Sequence, residues 1–138
     1  MEIFQSQFTI STKEKTELVN ITDKVRGFVS ESGVKNGTVT VFVPHATAAI
    51  LINEDETGLK NDFKKFLQSF TENLGEELEH DRIDDNAKAH LASGIIGPSE
   101  VMLVKDGKLV LGTWQEIFLF ELDGPRQNRK VELLVVGE

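Results

Sequence analysis

The sequence has no cysteine, and this absence excludes both a disulfide framework and a thiolate metal site. A transition-metal site in this chain would have to use histidine and carboxylate ligands, and only 3 histidines are present. No apolar run approaches the roughly 20 residues that a membrane-spanning helix needs. The N-terminal MEIFQSQFTI has no basic segment followed by an apolar core, so no secretory signal is expected. These absences predict a cytoplasmic protein that has no membrane partner.

Basic residues are scarce relative to acidic ones. Lysine and arginine number 15 against 23 aspartates and glutamates, a net charge of -8. Because binding to a nucleic-acid backbone depends on basic side chains that neutralise phosphates, this balance argues against a nucleic-acid partner. It still allows a small anionic ligand held by a few local cations. The length of 138 residues fits one domain, residues 1–138.

Helical periodicity occurs in the middle of the chain. One helix is predicted from Thr22, a residue type that caps helices, to Gly33, a residue type that ends them. A second helix has an apolar stripe that we expect to be buried: Leu59, Phe63, Phe66, Leu67 and Phe70.

A third helix is predicted to start after Asp84 or Asp85 and to end at Gly97-Pro98. Its Leu91 and Ile95 are expected to face the core. The acidic segment 71–81 before it is predicted to be a short helix or an ordered loop.

Strand patterns surround these helices. They cover residues 2–11, 16–21, 38–43, 48–52, 100–104, 108–111, 114–122 and 131–136. Asp106-Gly107 predicts a two-residue hairpin turn. Strands with the helices gathered between them predict an α+β fold: a single domain with a mostly antiparallel sheet and helices covering one face.

The stretch around His45 has the character of a site on a rigid frame. Proline lacks the amide hydrogen and fixes its own φ, so Pro44 ends the preceding strand and directs His45 away from the sheet. Small residues at 46–49 leave space beside the imidazole, and Asn53 and Glu54 add polar groups after the next apolar run. The alternative is that His45 is a hydrogen-bonded structural residue at a strand end.

His80 and His90 belong to a second polar segment. His80 precedes Asp81, and His90 lies one helical turn after Asn86. Nearby carboxylates can hold the second nitrogen of an imidazole, as metal-binding histidines require. Three histidines with an open fourth position would describe a catalytic zinc-type site. Alternatively, residues 84–86 only cap a helix and His90 is a surface residue.

A third polar region follows the hairpin. Trp114 on a predicted strand is expected in the core, although its neighbour Gln115 suggests a face that is not wholly buried. Without a bulge, Glu121 shares a face with Ile117 and Leu119, where a carboxylate would need a cation, a metal or a ligand donor. A solvent-facing Glu121 fits the sequence equally well.

Arg126, Arg129 and Lys130 form a basic cluster after a predicted turn at residues 123–125. Arginine can hold a phosphate by forked hydrogen bonds, so this cluster is a candidate phosphate site. The alternative is an ordinary solvated surface.

Several of these motifs occur together, in the same order, in a known family. They are PHATAAILINE (44–54), HDRIDDNAKAHL (80–91), GPS (97–99), DGKLVLGTWQEIFLFELDGPR (106–126) and VVGE (135–138). Jointly they resemble the YjbQ-like family, also called the secondary thiamine-phosphate synthase family, over nearly the whole chain. The resemblance implies a small α+β protein that assembles as a homotrimer, with a site near the subunit contacts.

The resemblance also implies an activity: a thiamine-phosphate synthase that joins hydroxymethylpyrimidine diphosphate to thiazole phosphate with loss of pyrophosphate. It implies catalytic roles for His45, His90 and Glu121. A divalent metal, zinc or magnesium, would be held by His45, His80 and His90. The implied substrate-binding residues are Thr47, Asn53, Glu54, Asp85, Asn86, Trp114, Gln115 and Arg126.

Three functions are compatible with these observations. The first is an enzyme in which a divalent ion neutralises a leaving diphosphate and a histidine positions or relays a proton. The second is a module that binds a metal ion or a small phosphorylated metabolite without chemistry. The third is a structural or chaperone-like trimer whose polar residues only join the subunits.

Overall fold

The computed structural model describes residues 1–74 and 78–138 and has two antiparallel sheets. The strands are β1 Glu2–Ile10, β2 Glu17–Asn20, β3 Asn36–Phe42, β4 Ala48–Asn53, β5 Ser99–Lys105, β6 Lys108–Leu109, β7 Glu116–Glu121 and β8 Arg129–Gly137. The helices are α1 Thr22–Ser32, α2 Thr57–Glu72 and α3 Ala87–Ile96, with a 3-10 turn at Glu79–Arg82. The predicted α+β class and single domain are confirmed.

The strands divide between a five-stranded sheet, in the order β1-β8-β3-β5-β6, and a three-stranded sheet, in the order β2-β7-β4. The sequence predicted one sheet, but most strands that follow one another along the chain lie in different sheets, whereas β5 and β6 share the larger one. β3 pairs with β5 and β8, whereas β4 pairs with β7. Pro44 explains this division, because it ends β3 and the short segment to Thr47 carries the chain across to the second sheet.

The main core lies between the two sheets. Alternate residues of β3 and β8, such as Val39, Val41 and Val135, point inward from the larger sheet. Ile50 and Leu119 face them from the smaller sheet, and the buried face of α1 completes the cluster. Burial of these aliphatic side chains supplies most of the driving force for folding.

The outer face of the smaller sheet is covered by α2 and α3, as predicted for one face. Phe63 and Leu67 of α2 and Ala89 and Ala92 of α3 pack on Phe120 and its neighbours in this second cluster. The small alanines let α3 lie close to the sheet.

Two predictions of burial on these helices are wrong. Phe66 is 67% exposed, and Phe70 is also exposed, because α2 contacts the sheet through only part of its apolar stripe. Leu91 and Ile95 are exposed because α3 turns its alanine face inward. Residues 75–77 of the acidic segment predicted at 71–81 lie outside the described residues.

The turns follow their sequence signals closely. Gly33 ends α1 with φ 70°, and Asp106 and Gly107 have φ values of 52° and 77°, as the predicted hairpin turn requires. Thr22 does not cap α1. It is the first helical residue, and its hydroxyl accepts a hydrogen bond from the Ile117 amide at 2.8 Å.

Within residues 1–74 and 78–138, no helix is both long and apolar enough to span a membrane.

The outer face of the five-stranded sheet is open in the single chain. Ile3, Phe42, Val101 and Leu103 are exposed there, and Leu134 is half-buried between them. The alternation along β5 explains this face, because Met102 and Val104 point into the core while their neighbours point outward.

Candidate functional site

A buried ion pair anchors the end of β7. The Glu121 carboxylate has no exposed surface, and it accepts hydrogen bonds from Arg129 Nε at 2.8 Å and Nη2 at 2.5 Å. The Thr12 hydroxyl donates to the same carboxylate at 2.7 Å. Burial alone would raise the pKa of Glu121, but the bonds from Arg129 and Thr12 outweigh it and leave that pKa lowered. The carboxylate therefore faces the apolar interior with a cation, and the solvent-facing alternative is wrong.

Arg129 also joins the end of β7 to the segment after β3. Its Nη2 donates to the carbonyl oxygen of Thr47 at 3.1 Å and to the hydroxyl of Thr47 at 2.9 Å. Thr47 is buried, so its side chain helps to hold Arg129 in place.

Asp123 collects polar groups from three separate segments. Its carboxylate accepts from Lys15 Nζ at 2.5 Å, from Asn86 Nδ2 at 2.8 Å and from Arg126 Nη2 at 2.9 Å. Burial alone would raise its pKa, but these hydrogen bonds outweigh it and lower the pKa of Asp123 to about 2. We call Lys15, Asn86, Asp123 and Arg126 the Asp123 site.

The cations of the Asp123 site remain accessible. The side chain of Asp123 is 8% exposed, whereas those of Lys15 and Arg126 are 65% and 51% exposed. Arg126 uses Nε and Nη2 for the backbone and carboxylate of Asp123. A buried carboxylate therefore holds two cations side by side at the surface.

Two of the histidines lie next to this site. Because the Asn86 amide nitrogen donates to Asp123, the Asn86 oxygen is left to accept, and His80 Nε2, 3.1 Å away, is the donor. This bond leaves Nδ1 of a neutral His80 with its lone pair. The His90 ring packs edge-on against His80, with 4.7 Å between centroids.

His45 makes a different contact. Its Nε2 accepts a hydrogen bond from the backbone amide of Lys130 at 2.8 Å, so the neutral ring carries its proton on Nδ1. Burial, together with the nearby positive charge of Arg129, lowers the pKa of His45. In this tautomer Nδ1 carries the proton and the lone pair of Nε2 accepts from Lys130, so neither nitrogen is free to bind a metal. The structural alternative for His45 is consistent with this geometry.

The remaining predicted residues lie elsewhere. Asn53 lies at the end of β4 that is far from the network. Ala48, at the other end of β4, pairs with Glu121, and the rise of an antiparallel strand puts about 17 Å between Ala48 and Asn53. Asn53 accepts a hydrogen bond from the amide of Glu54, and Gln115 accepts one from the amide of Gly112 at 2.7 Å.

Trp114 is 71% exposed, so its predicted place in the core is wrong. It lies in the turn before β7, where no sheet covers the indole.

Asp85 is exposed at the start of the α3 segment, and its amide donates to Asp84 Oδ1 at 3.0 Å. Thr47, Asn86, Glu121 and Arg126 thus join one connected network, whereas Asp85 does not enter it.

No group of three or more metal-binding side chains occurs in the part of the chain that the structure describes. His80 and His90 lie together, but His45 is committed to Lys130. The three-histidine ligand set is therefore not formed within those residues of one chain.

Sequence reasoning did not single out Thr12, Lys15 or Asp123. The need of Glu121 for a cation was visible, but the patterns did not say which of Arg126, Arg129 and Lys130 would meet it. Thr12 and Lys15 lie more than a hundred positions from their partners in sequence, |i−j| being 109 and 108. A hydrophobic pattern has no signal for such pairs.

The fold and the site together define a small α+β protein of two antiparallel sheets with a polar network at one end of the smaller sheet. A family model described as UPF0047 protein YjbQ-like matches residues 6–138. The chain belongs to this YjbQ-like UPF0047 family, and the predicted resemblance is confirmed.

Individual relatives agree with this assignment. A UPF0047 protein of Methanothermobacter thermautotrophicus is 40% identical over 138 residues, which span 100% of this chain and 95% of that protein. The UPF0047 protein YugU of Bacillus subtilis is 40% identical over 119 residues, 85% of this chain and 88% of that protein. A crystal structure from Sulfolobus solfataricus, described as a YbjQ-like protein of unknown function, matches with a TM-score of 0.96 and 46% identity over 99% of both chains.

These relatives correct the expected activity. The family is designated UPF0047, and the Sulfolobus solfataricus protein is described as one of unknown function. The prediction of a thiamine-phosphate synthase activity is therefore wrong: membership of this family does not imply that activity, nor the family name that refers to it.

Proposed function

We propose that the protein binds a small phosphorylated metabolite at the Asp123 site. The observation that carries this proposal is the pair of exposed cations, Lys15 and Arg126, which the buried Asp123 holds together. Within the four residues of the Asp123 site, two cations share one carboxylate, so these residues together carry a positive charge. An arginine fork with a neighbouring ammonium suits the oxygens of a phosphate.

The same geometry supports roles for the neighbouring side chains. Asn86 fixes the orientation of His80, so that the imidazole is oriented beside the site through two successive hydrogen bonds. His90 lies against that ring. Because Glu121 is buried and bonded to Arg129 and Thr12, its geometry favours a positioning role over contact with a ligand.

The test is calorimetric titration with glycerol 3-phosphate and, separately, with inorganic phosphate. We expect Arg126→Gln to weaken binding at least tenfold, since a charge-assisted fork is lost. Arg26→Gln is the matched control, because Arg26 is an exposed residue of α1 and the variant has the same net charge. Equal affinities for the two variants, or no binding by the unmodified protein, would overturn the proposal.

A divalent metal, zinc or magnesium, is a second expectation at this end of the molecule. The paired rings of His80 and His90 favour zinc over magnesium, because imidazole suits zinc and magnesium prefers oxygen. A third ligand would have to come from outside the described residues or from a second copy. Elemental analysis of the purified protein, with the His80→Ala variant as comparison, tests this expectation.

We further propose that the protein is cytoplasmic and assembles as a homotrimer. The open apolar face of the five-stranded sheet supports assembly, because exposed apolar patches are characteristic of contact surfaces. A closed ring of three copies built through this face would cover it in every copy.

A further inference from the structure

A second concave site lies between the helices and the smaller sheet. This cleft, which we call the α2–α3 cleft, has a volume of about 370 Å³. Its size falls within the range of about 300–1,000 Å³ typical of small-molecule pockets. Lys15 lines this cleft and also belongs to the Asp123 site.

The floor of the α2–α3 cleft is apolar. Leu67 of α2, Ala89 and Ala92 of α3, and Phe120 and Leu122 from β7 and its end line it. The alanines create the space, because α3 turns its larger apolar side chains outward. An apolar body of the size of one or two fused rings can remove this surface from water.

Three lysines, Lys15, Lys64 and Lys88, line the rim of the cleft, and among the described residues Glu72 is the acidic one that lines it. Lys15 is bonded to Asp123 at 2.5 Å, and Lys64 makes only a long contact of 3.6 Å with the exposed Glu14. Lys88 makes no salt bridge within the part of the chain that the structure describes. Lys64 and Lys88 are therefore the cations of the rim that can turn to an anionic ligand.

We propose that the α2–α3 cleft binds a small amphipathic organic anion. The apolar body of the ligand packs on Phe120, Leu67 and the alanines of α3, and its anionic head group contacts Lys64 and Lys88. Neither a neutral apolar molecule nor a bare inorganic anion satisfies both surfaces. This site does not depend on phosphate binding at Arg126.

The probe is naphthalene-1-sulfonate, compared with the neutral naphthalene-1-sulfonamide of nearly the same shape. Binding is followed by amide chemical shifts in nuclear magnetic resonance spectra of the full chain. We expect the sulfonate to shift the amides of Leu67, Ala89, Ala92 and Leu122, and to bind at least fivefold more tightly than the sulfonamide. Equal affinities, or shifts confined to the open face of the larger sheet, would remove the proposal.

The double variant Lys64→Ala/Lys88→Ala should weaken sulfonate binding about tenfold, given the modest energy of each exposed charge contact. Lys65→Ala/Lys105→Ala is the control, because both lysines are exposed and neither lines the cleft. Equal weakening by the two double variants would overturn the proposal.

Arg126→Gln separates this inference from the proposed function. If both are right, Arg126→Gln binds the sulfonate normally and loses glycerol 3-phosphate, while Lys64→Ala/Lys88→Ala does the reverse. Loss of sulfonate binding on Arg126→Gln would assign the anion to the Asp123 site and refute a separate cleft site.

Discussion

At the scale of single residues, the buried pair of Glu121 and Arg129 makes the sharpest stability prediction. Arg129→Met removes the guanidinium and leaves a carboxylate without its cation in the interior. Breaking such a pair costs about 3–5 kcal/mol, because the remaining charge is desolvated and uncompensated. We expect the free energy of unfolding in urea to fall by that amount.

Lys64→Met provides the comparison for that measurement. Lys64 and Glu14 form a surface pair at 3.6 Å, and such pairs contribute about 0–1 kcal/mol. If both methionine variants lose the same stability, the Arg129 pair is not the buried anchor that its geometry indicates.

Asp123 gives a prediction about pH. Its pKa in the folded protein is lowered from 3.8 to about 2, so the group contributes stability above pH 3.8 that is lost as the pH falls through about 2. The contribution is about 2 kcal/mol by linkage. We expect the stability difference between the unmodified protein and Asp123→Asn to shrink between pH 4 and pH 2. A difference that stays constant over this range would contradict the lowered pKa.

Residue-level sequence reasoning was informative where a local rule applies. A carboxylate on an apolar face needs a cation, and parity along β7 offered that face for Glu121 beside a solvent-facing alternative. The structure selects the buried position. For His45 the sequence left a functional and a structural role open, and its partner, the backbone amide of Lys130, could not be named because contacts between distant backbone segments leave no mark in the sequence.

At the scale of elements, the pairing of β3 with β8 depends on two glycines. Gly37 lies directly opposite Gly137, and a Cβ on Gly37 would overlap the carbonyl oxygen of Val136 and lie 2.8 Å from the Cα of Gly137. Gly37→Ala should therefore cost about 1–3 kcal/mol, as overpacking does, and lower the thermal midpoint.

Gly27→Ala is the matched substitution in a helix. Gly27 lies within α1, and an added Cβ would have no neighbour within 4 Å. Alanine there should stabilise the protein by about 0.5–1 kcal/mol, because it restricts the unfolded chain and favours helix. If Gly27→Ala and Gly37→Ala shift the thermal midpoint in the same direction, the close contact between β3 and β8 at Gly37 is refuted.

The elements themselves were predictable, and their partners were less so. The predicted strands and the three predicted helices before Gly33, around Phe63 and before Gly97 are present in the described residues, because period-two and 3.6-residue patterns are local properties of the sequence. Which face of α3 is buried was not predictable from apolarity, since close packing on the sheet selected Ala89 and Ala92 over Leu91 and Ile95. The division into two sheets depended on Pro44. A proline predicts that a strand ends, but it does not predict which sheet the next strand joins.

At the scale of the whole molecule, the open face of the larger sheet is the feature that a lone chain leaves unexplained. Val101 and Leu103 are each 61% exposed on neighbouring outward positions of β5. If this face is the contact of a homotrimer, sedimentation should give a mass three times that of the 15.4 kDa chain. Val101→Glu/Leu103→Glu should then dissociate the assembly, because each carboxylate would be desolvated in the contact.

Phe66→Glu makes this test specific to a surface. Phe66 is more exposed than Leu103, at 67%, but it lies on α2, away from the larger sheet. We expect it to leave the mass of the assembly unchanged, because solvent covers that position in a trimer built through the sheet. Dissociation by Phe66→Glu with no effect of the β5 variant would instead move the contact to α2. A single-chain mass for the unmodified protein would refute the trimer and require the Asp123 site to act within one chain.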